Sequence, residues 1–99
     1  MALHIHINAD EIAAFCRRYH IRKLAFFGSV LRDDFRPDSD VDVLVEFEPA
    51  HVPGFIELMR MQREFSEMIG READFRTEED LSLRFRRLVV ETSEVAYAA

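Results

Sequence analysis

Disulfides, long apolar runs and surplus positive charge are what this sequence lacks. Cys16 is the single cysteine in 99 residues, so no intrachain disulfide can form and the chain reads as one built for a reducing compartment. No apolar run approaches the roughly 18–20 residues needed to cross a bilayer. A basic stretch followed by an apolar core is absent near Met1, and Asp10 and Glu11 come too early for a signal peptide. The expectation is a cytoplasmic protein without membrane contact. Acids outnumber bases, 19 to 13, for a formal net charge of -6 and a pI near 5.1. A general nucleic-acid binder needs a basic footprint to neutralise phosphates, so direct nucleic-acid binding is not expected. Nucleotide binding stays open, because metal ions can supply the positive charge locally. Internal repeats, low-complexity tracts and linkers are missing too, and residues 1–99 read as one domain. Its core would be modest, so a partner subunit would add stability.

What is present is a regular alternation of patterns. Leu3-His4-Ile5-His6-Ile7 alternates apolar and polar, predicting a short edge strand. Asn8 with Glu11 makes a capping box ahead of Ile12, Phe15, Cys16 and Tyr19, which fall on one helical face. Leu24 to Phe27 is a short apolar run stopping at Gly28, bounded like a buried strand feeding a tight turn, with Ser29 capping a helical turn as far as Asp34. Arg36-Pro37-Asp38-Ser39 is turn chemistry. Asp40 to Phe47 reads as a strand with Val41, Val43 and Val45 on one face and Asp40, Asp42 and Leu44 on the other. After the loop from Glu48 to Gly54, residues Phe55, Leu58, Met59, Gln62, Phe65 and Ile69 mark the inner face of a helix that Gly70 ends. Ala73 to Arg76 is a short strand, and Thr77 with Asp80 forms another cap. A last helix carries Leu81, Phe85, Leu88, Val89, Thr92, Val95 and Ala96 on one stripe. The order α-β-α-β-α-β-α predicts an α+β fold, a small mixed sheet with amphipathic helices packed on it.

Two features carry chemistry. Asp40 and Asp42 are two residues apart on a strand, so their carboxylates share a face. Two like charges about 5 Å apart repel by roughly 3 kcal/mol at an effective dielectric near 20, a cost that a cation between them removes. Oxygen-only ligands with an open coordination sphere suit Mg²⁺. Upstream, a strand ends in Gly28 and the hydroxyl of Ser29. Glycine lets backbone approach a phosphate closely, and N–H groups at a helix start favour an anion. Ten residues, Val30 to Ser39, separate the cradle from the carboxylate pair, enough to bring them side by side. Taken singly, an Asp-x-Asp pair is also a solvated strand end, and Gly-Ser also an ordinary turn.

Gly28-Ser29, ten residues, then Asp40-Val41-Asp42 resembles the Gly-Ser…Asp-x-Asp signature of the polymerase-β-like nucleotidyltransferase superfamily, and the stretch from Phe27 to Val45 resembles its small minimal nucleotidyltransferases. That resemblance implies the palm-like fold of the superfamily, ATP as substrate and two Mg²⁺ ions. It implies a third carboxylate on a later strand, for which Ile69-Gly70-Arg71-Glu72-Ala73-Asp74 offers Asp74. Asp40, Asp42 and Asp74 would be the catalytic and metal residues. Gly28 and Ser29 would hold the phosphates, and Arg32, which matches the family pattern, would contact phosphate or a partner. Asp33, where the family usually has glycine, and Asp34 add negative charge beside the site.

Larger members carry acceptor-binding domains for which 99 residues leave no room, so the acceptor is expected to be held by, or to be, another protein. The minimal group is typically the antitoxin of a HEPN RNase toxin and transfers AMP to a toxin tyrosine. Two alternatives stay open: an antitoxin that acts by binding alone, and an AMP transferase for a small molecule, acting as an oligomer. His4 and His6 read as an edge strand, Cys16 as packing, Met59, Met61 and Met68 as core or partner surface. Arg84, Arg86 and Arg87 read as a solvated or contact face, and Tyr97 as a frayed terminus.

Overall fold

The computed structural model describes residues 5–33 and 35–99. In chain order the elements are α1 (Ala9–Arg18), β1 (Ile21–Phe27), a 3-10 turn (Gly28–Leu31), β2 (Val41–Phe47), a second 3-10 turn (Pro49–His51) and α2 (Phe55–Ile69). There follow β3 (Ala73–Arg76), a third 3-10 turn (Glu78–Asp80), α3 (Leu83–Thr92) and β4 (Glu94–Ala98). The strands form one sheet ordered β3-β2-β1-β4, parallel between β2 and β3 and antiparallel elsewhere. The α+β class expected from the patterning, a small mixed sheet with helices, is the one observed.

Local chemistry sets the helix ends. The Asn8 side chain accepts from the Asp10 and Glu11 amides at 3.0 and 3.1 Å, satisfying two N–H groups that have no partner inside α1. At the far end of α2, Gly70 takes φ +72°, a left-handed value that side chains resist. The Gly70 and Arg71 amides then both donate to the Ser66 carbonyl, at 2.9 and 3.1 Å.

The core lies between one face of the sheet and helices α1 and α2. Leu24 and Phe26 of β1, Val41, Val43 and Val45 of β2, and Ala73 and Phe75 of β3 are buried together with Ile12, Phe15 and Cys16 of α1 and Met61 and Phe65 of α2. Phe65 is at its centre, with ring centroids 5.2 Å from Phe15, 5.4 Å from Phe75 and 6.3 Å from Phe26. Burial pushes the Cys16 thiol up to about 12, which fits packing and removes it as a nucleophile.

Four expectations are corrected. Ile5 to Asn8 form no strand, while Leu3 and His4 lie outside the described residues. Ser29 is not a helix cap: the turn it sits in is 3-10, Phe27 occupies the cap position, and no side chain caps it. On α2 the fully buried residues are Met61 and Phe65, while Phe55, expected on the inner face, is 74% exposed, because the first turn of the helix does not lie against the sheet. The last helix stops at Thr92, and the order gains a fourth strand. Ser93 turns extended (φ -67°, ψ 153°), and Val95 and Tyr97 pair opposite Ala25 and Leu24 of β1. An open β1 edge offers unpaired N–H and C=O groups, and β-branched and aromatic residues suit a strand there, so pairing overrides the helical periodicity. Tyr97 is thereby half-buried against the core and not frayed. None of α3 is buried, and Leu83, Phe85 and Leu88 are exposed.

Replacing Phe65 with alanine should lower unfolding free energy by about 3–5 kcal/mol, since it empties the centre of the aromatic cluster; a shift of the urea midpoint at unchanged slope checks it.

Candidate active site

Alternation along β2 sends Val41, Val43 and Val45 into the core and Asp42 to the opposite face. Asp40 precedes the strand and is exposed. The β2–β3 register places Asp42 directly beside Asp74, and the β1–β2 register places it opposite Phe27, the residue before Gly28. Adjacent strands run about 4.8 Å apart, so two acidic residues and the turn after β1 meet on one face of the sheet.

The turn is built to let Asp42 in. Gly28 has φ +75°, and a Cβ placed there would overlap Oδ2 of Asp42 and come within 3.3 Å of its Cγ. Glycine is required twice over, for its backbone conformation and for the space. Ser29 Oγ reaches the Asp40 carbonyl at 3.5 Å, joining the turn to the residue ahead of β2.

β3 is held by α2 as well as by β2. The Ala73 amide donates to Ser66 Oγ at 2.9 Å and the Phe75 amide to Gln62 Oε1 at 2.8 Å, so the residues flanking Asp74 are tied down on both sides. Val41 donates to the Glu72 carbonyl at 2.8 Å, which aligns the starts of the two strands. The Arg36–Ser39 turn is closed by reciprocal bonds, Ser39 amide to Arg36 carbonyl at 3.0 Å and Arg36 amide to Ser39 Oγ at 3.1 Å. Arg71 then clips this loop to the α2–β3 turn: its Nη2 donates to the Arg36 carbonyl at 2.7 Å, and its guanidinium lies 4.4 Å from the Phe35 ring centroid.

Charge is concentrated here. The Asp42 carboxyl is raised above its ordinary 3.8, first by burial, then by Asp74 and Asp40, against the lowering influence of Arg76 and Arg32. Arg76 pairs with Asp74 at 2.9 Å, both partly exposed. Sequence reasoning missed Arg76, although Asp74-Phe75-Arg76 puts acid and base on the same strand face by the spacing that grouped Asp40 with Asp42. Arg32 is exposed and close enough for its charge to act on Asp42. Asp33 is exposed, and Asp34 lies outside the described residues.

The donor set, three carboxylates and a backbone turn, fits a hard cation such as Mg²⁺. A half-buried carboxylate with two acidic neighbours is stabilised by a cation, and the close seat of Asp42 against Gly28 leaves no room for a side chain there. The three carboxylates are not drawn to within 4.8 Å of one another; among the described residues only His20, Glu48 and His51 meet that spacing. A cavity of about 450 Å³ lies away from these carboxylates, toward the other end of β2, bounded by Leu44, Glu46, Lys23, Val52, Thr77 and Glu79 among others. No helix of the described residues is long and apolar enough to cross a membrane.

The model of the nucleotidyltransferase domain matches residues 10–95. The chain belongs to the nucleotidyltransferase domain family. It is 29% identical over 80 residues to the protein adenylyltransferase MntA of Thermococcus cleftensis, covering 81% of this chain and 77% of that one. A provisionally named protein adenylyltransferase of Methanocaldococcus jannaschii is 28% identical over 64 residues, and the match spans 64% of that protein and 65% of this chain. A solved structure provisionally identified as a minimal nucleotidyltransferase superposes with a TM-score of 0.67 at 27% identity, covering 89% of this chain and 95% of the other. The crystal structure of a toxin–antitoxin with AMP-PNP shares the fold, with a TM-score of 0.74 at 17% identity over 94% of this chain and 75% of that one.

Two outcomes follow for this nucleotidyltransferase domain. Gly28→Ala should cost about 1–3 kcal/mol of stability, from backbone strain and the displaced Asp42 carboxylate, read by chemical denaturation. Asp42 has a folded value above 3.8, so its stability contribution is full below 3.8 and is lost as pH rises through the folded value. In EDTA, Asp42→Asn should therefore raise the Tm at pH 7, and the gain should vanish as pH falls toward 3.8. Calorimetry across that range checks both.

Proposed function

We propose that this domain is a cytoplasmic antitoxin that transfers AMP from ATP to a tyrosine hydroxyl of a cognate HEPN RNase toxin and so silences it. The observation that carries the reading is the side-by-side register of Asp42 and Asp74, with Gly28 seated against Asp42. The name of the Thermococcus relative and the AMP-PNP-bound toxin–antitoxin of the same fold support it. So does the exposed apolar side of α3, with Leu83, Phe85 and Leu88, which suits a protein partner.

In this reading Asp40, Asp42 and Asp74 are the residues that would hold two Mg²⁺ ions. Bound Mg²⁺ would neutralise the triphosphate and polarise the phosphorus under attack. The Gly28-Ser29 backbone and the Ser29 hydroxyl hold the β- and γ-phosphates, and Arg32 adds positive charge from the side. Asp74 accepts the proton of the acceptor hydroxyl, and Arg76, 2.9 Å away, fixes its orientation. The hydroxyl oxygen bonds to the α-phosphorus as the bond to the bridging oxygen breaks, and pyrophosphate leaves. Catalysis is then mostly positioning and charge neutralisation.

The test is to incubate the protein with ATP, Mg²⁺ and the product of its neighbouring gene, and to weigh both proteins by intact-mass spectrometry. The neighbour should gain AMP on a tyrosine, and Asp42→Asn and Asp74→Asn should slow the gain by about a hundredfold or more. No adduct, with toxicity still neutralised by Asp42→Asn, would establish neutralisation by binding alone and sink the enzymatic reading.

A further inference from the structure

The far end of the β1–β2 hairpin carries a second constellation, unrelated to the carboxylates. His20 immediately precedes β1 and Glu48 immediately follows β2, and their neighbours Ile21 and Phe47 are paired in register. The other end of the same pairing is Phe27 with Asp42. Six residue steps of strand separate the two ends, about 20 Å at roughly 3.3 Å per residue.

There His20, Glu48 and His51 place one ligand atom each so that all lie within 4.8 Å of one another. His20 Nδ1 is 3.4 Å from Glu48 Oε2, and the two imidazoles stack with centroids 3.7 Å apart at an interplanar angle of 9°. The backbone beneath them is tied. The Glu48 amide donates to the His20 carbonyl at 3.0 Å, and the His51 amide donates to the Glu48 carbonyl at 2.8 Å. His20 has φ +58°, a left-handed conformation in which histidine is among the better tolerated residues. Pro49 fixes the start of the 3-10 turn that brings His51 back over His20. Three donors from two separate segments are thus presented on ordered backbone.

We propose that His20, Glu48 and His51 form a binding site for a divalent transition-metal ion of the Zn²⁺ type. Two imidazole nitrogens and one carboxylate oxygen suit Zn²⁺ or Ni²⁺, whereas Mg²⁺ prefers oxygen donors. All three residues are exposed, with side chains about half accessible at His20 and Glu48 (47% and 48%), so the stacked rings have room to turn out of their parallel arrangement and aim at a shared ion. Three protein ligands leave a coordination position for water. The bound ion clips the turn between α1 and β1 to the loop between β2 and α2, and it stabilises the hairpin from the end remote from Asp42. The site stands independently of any transfer activity.

The experiment is a Zn²⁺ titration of tag-free, EDTA-stripped protein in excess Mg²⁺, followed through imidazole ¹⁵N and ¹H resonances. The rings of His20 and His51 should shift together and saturate at one equivalent, with His6 unchanged. His51→Ala and Glu48→Gln should weaken Zn²⁺ binding by about tenfold or more, while Asp42→Asn should leave it as in the wild type. Rings that titrate separately, or only at large excess, overturn the proposal. So does Zn²⁺ binding that survives His51→Ala but is lost in Asp42→Asn, since that assigns the ion to the carboxylates. If either variant misfolds by circular dichroism, the joint saturation of the two rings in the wild type decides alone.

Discussion

The parallel pairing of β2 with β3 is what the working face of this sheet depends on. β3 has four residues, too few to hold a place by its own ladder. It stays because Ala73 and Phe75 are buried, and because their amides reach Ser66 and Gln62 on α2. Those two side chains are four residues apart, one helical turn, so they meet alternate amides along the strand. A slip of one residue would drive Asp74 into the Phe65 cluster and expose Phe75. The same burial that packs the core therefore sets where Asp74 stands relative to Asp42.

Concentrating acids on one face costs stability, and the surroundings show how the fold offsets it. Arg76 pairs with Asp74, and Arg32 contributes from the segment after the 3-10 turn. Arg71 acts differently, through a carbonyl and an aromatic ring, and its effect is to pin the loop that leads into Asp40. Gly28 completes the arrangement by having no side chain where Asp42 needs room. These contacts hold Asp40, Asp42 and Asp74 near one another while leaving the raised Asp42 carboxyl as an attractive place for a cation.

The two ends of the β1–β2 hairpin carry different donor chemistry. One end offers oxygen donors in a partly buried, crowded setting; the other offers imidazoles and a carboxylate in the open. Hard and borderline cations prefer these sets differently, so the ends would not compete for the same ion. The helices divide in a similar way. α1 and α2 are committed to the core, whereas α3 turns Leu83, Phe85 and Leu88 outward.

Periodicity and turn chemistry by themselves determine α1 with its Asn8 cap, the end of α2 at Gly70 and the strand ending at Phe47 with Asp42 and Leu44 on one face; that strand is expected from Asp40 but begins at Val41, which leaves Asp40 just ahead of it. All of these follow from spacing along a single segment. Gly28 was legible as a tight turn, but its close contact with Asp42 was not, because that is a distance between two strands. Asp74 was placed by resemblance to a family motif, and only the β2–β3 register sets it against Asp42. Arg71 is not legible from the sequence because its partners, the Arg36 carbonyl and the Phe35 ring, lie in a distant loop, whereas Arg76 is legible from its two-residue spacing to Asp74 on one strand. The C-terminal segment was misread because Val95 and Ala96 continue a helical stripe, whereas an open edge of β1 draws the chain into a strand. His20, Glu48 and His51 are spread over 32 positions of sequence, and hairpin closure alone makes them neighbours. Local patterns fix what a segment can become; hydrogen bonding and burial between segments decide which side chains meet.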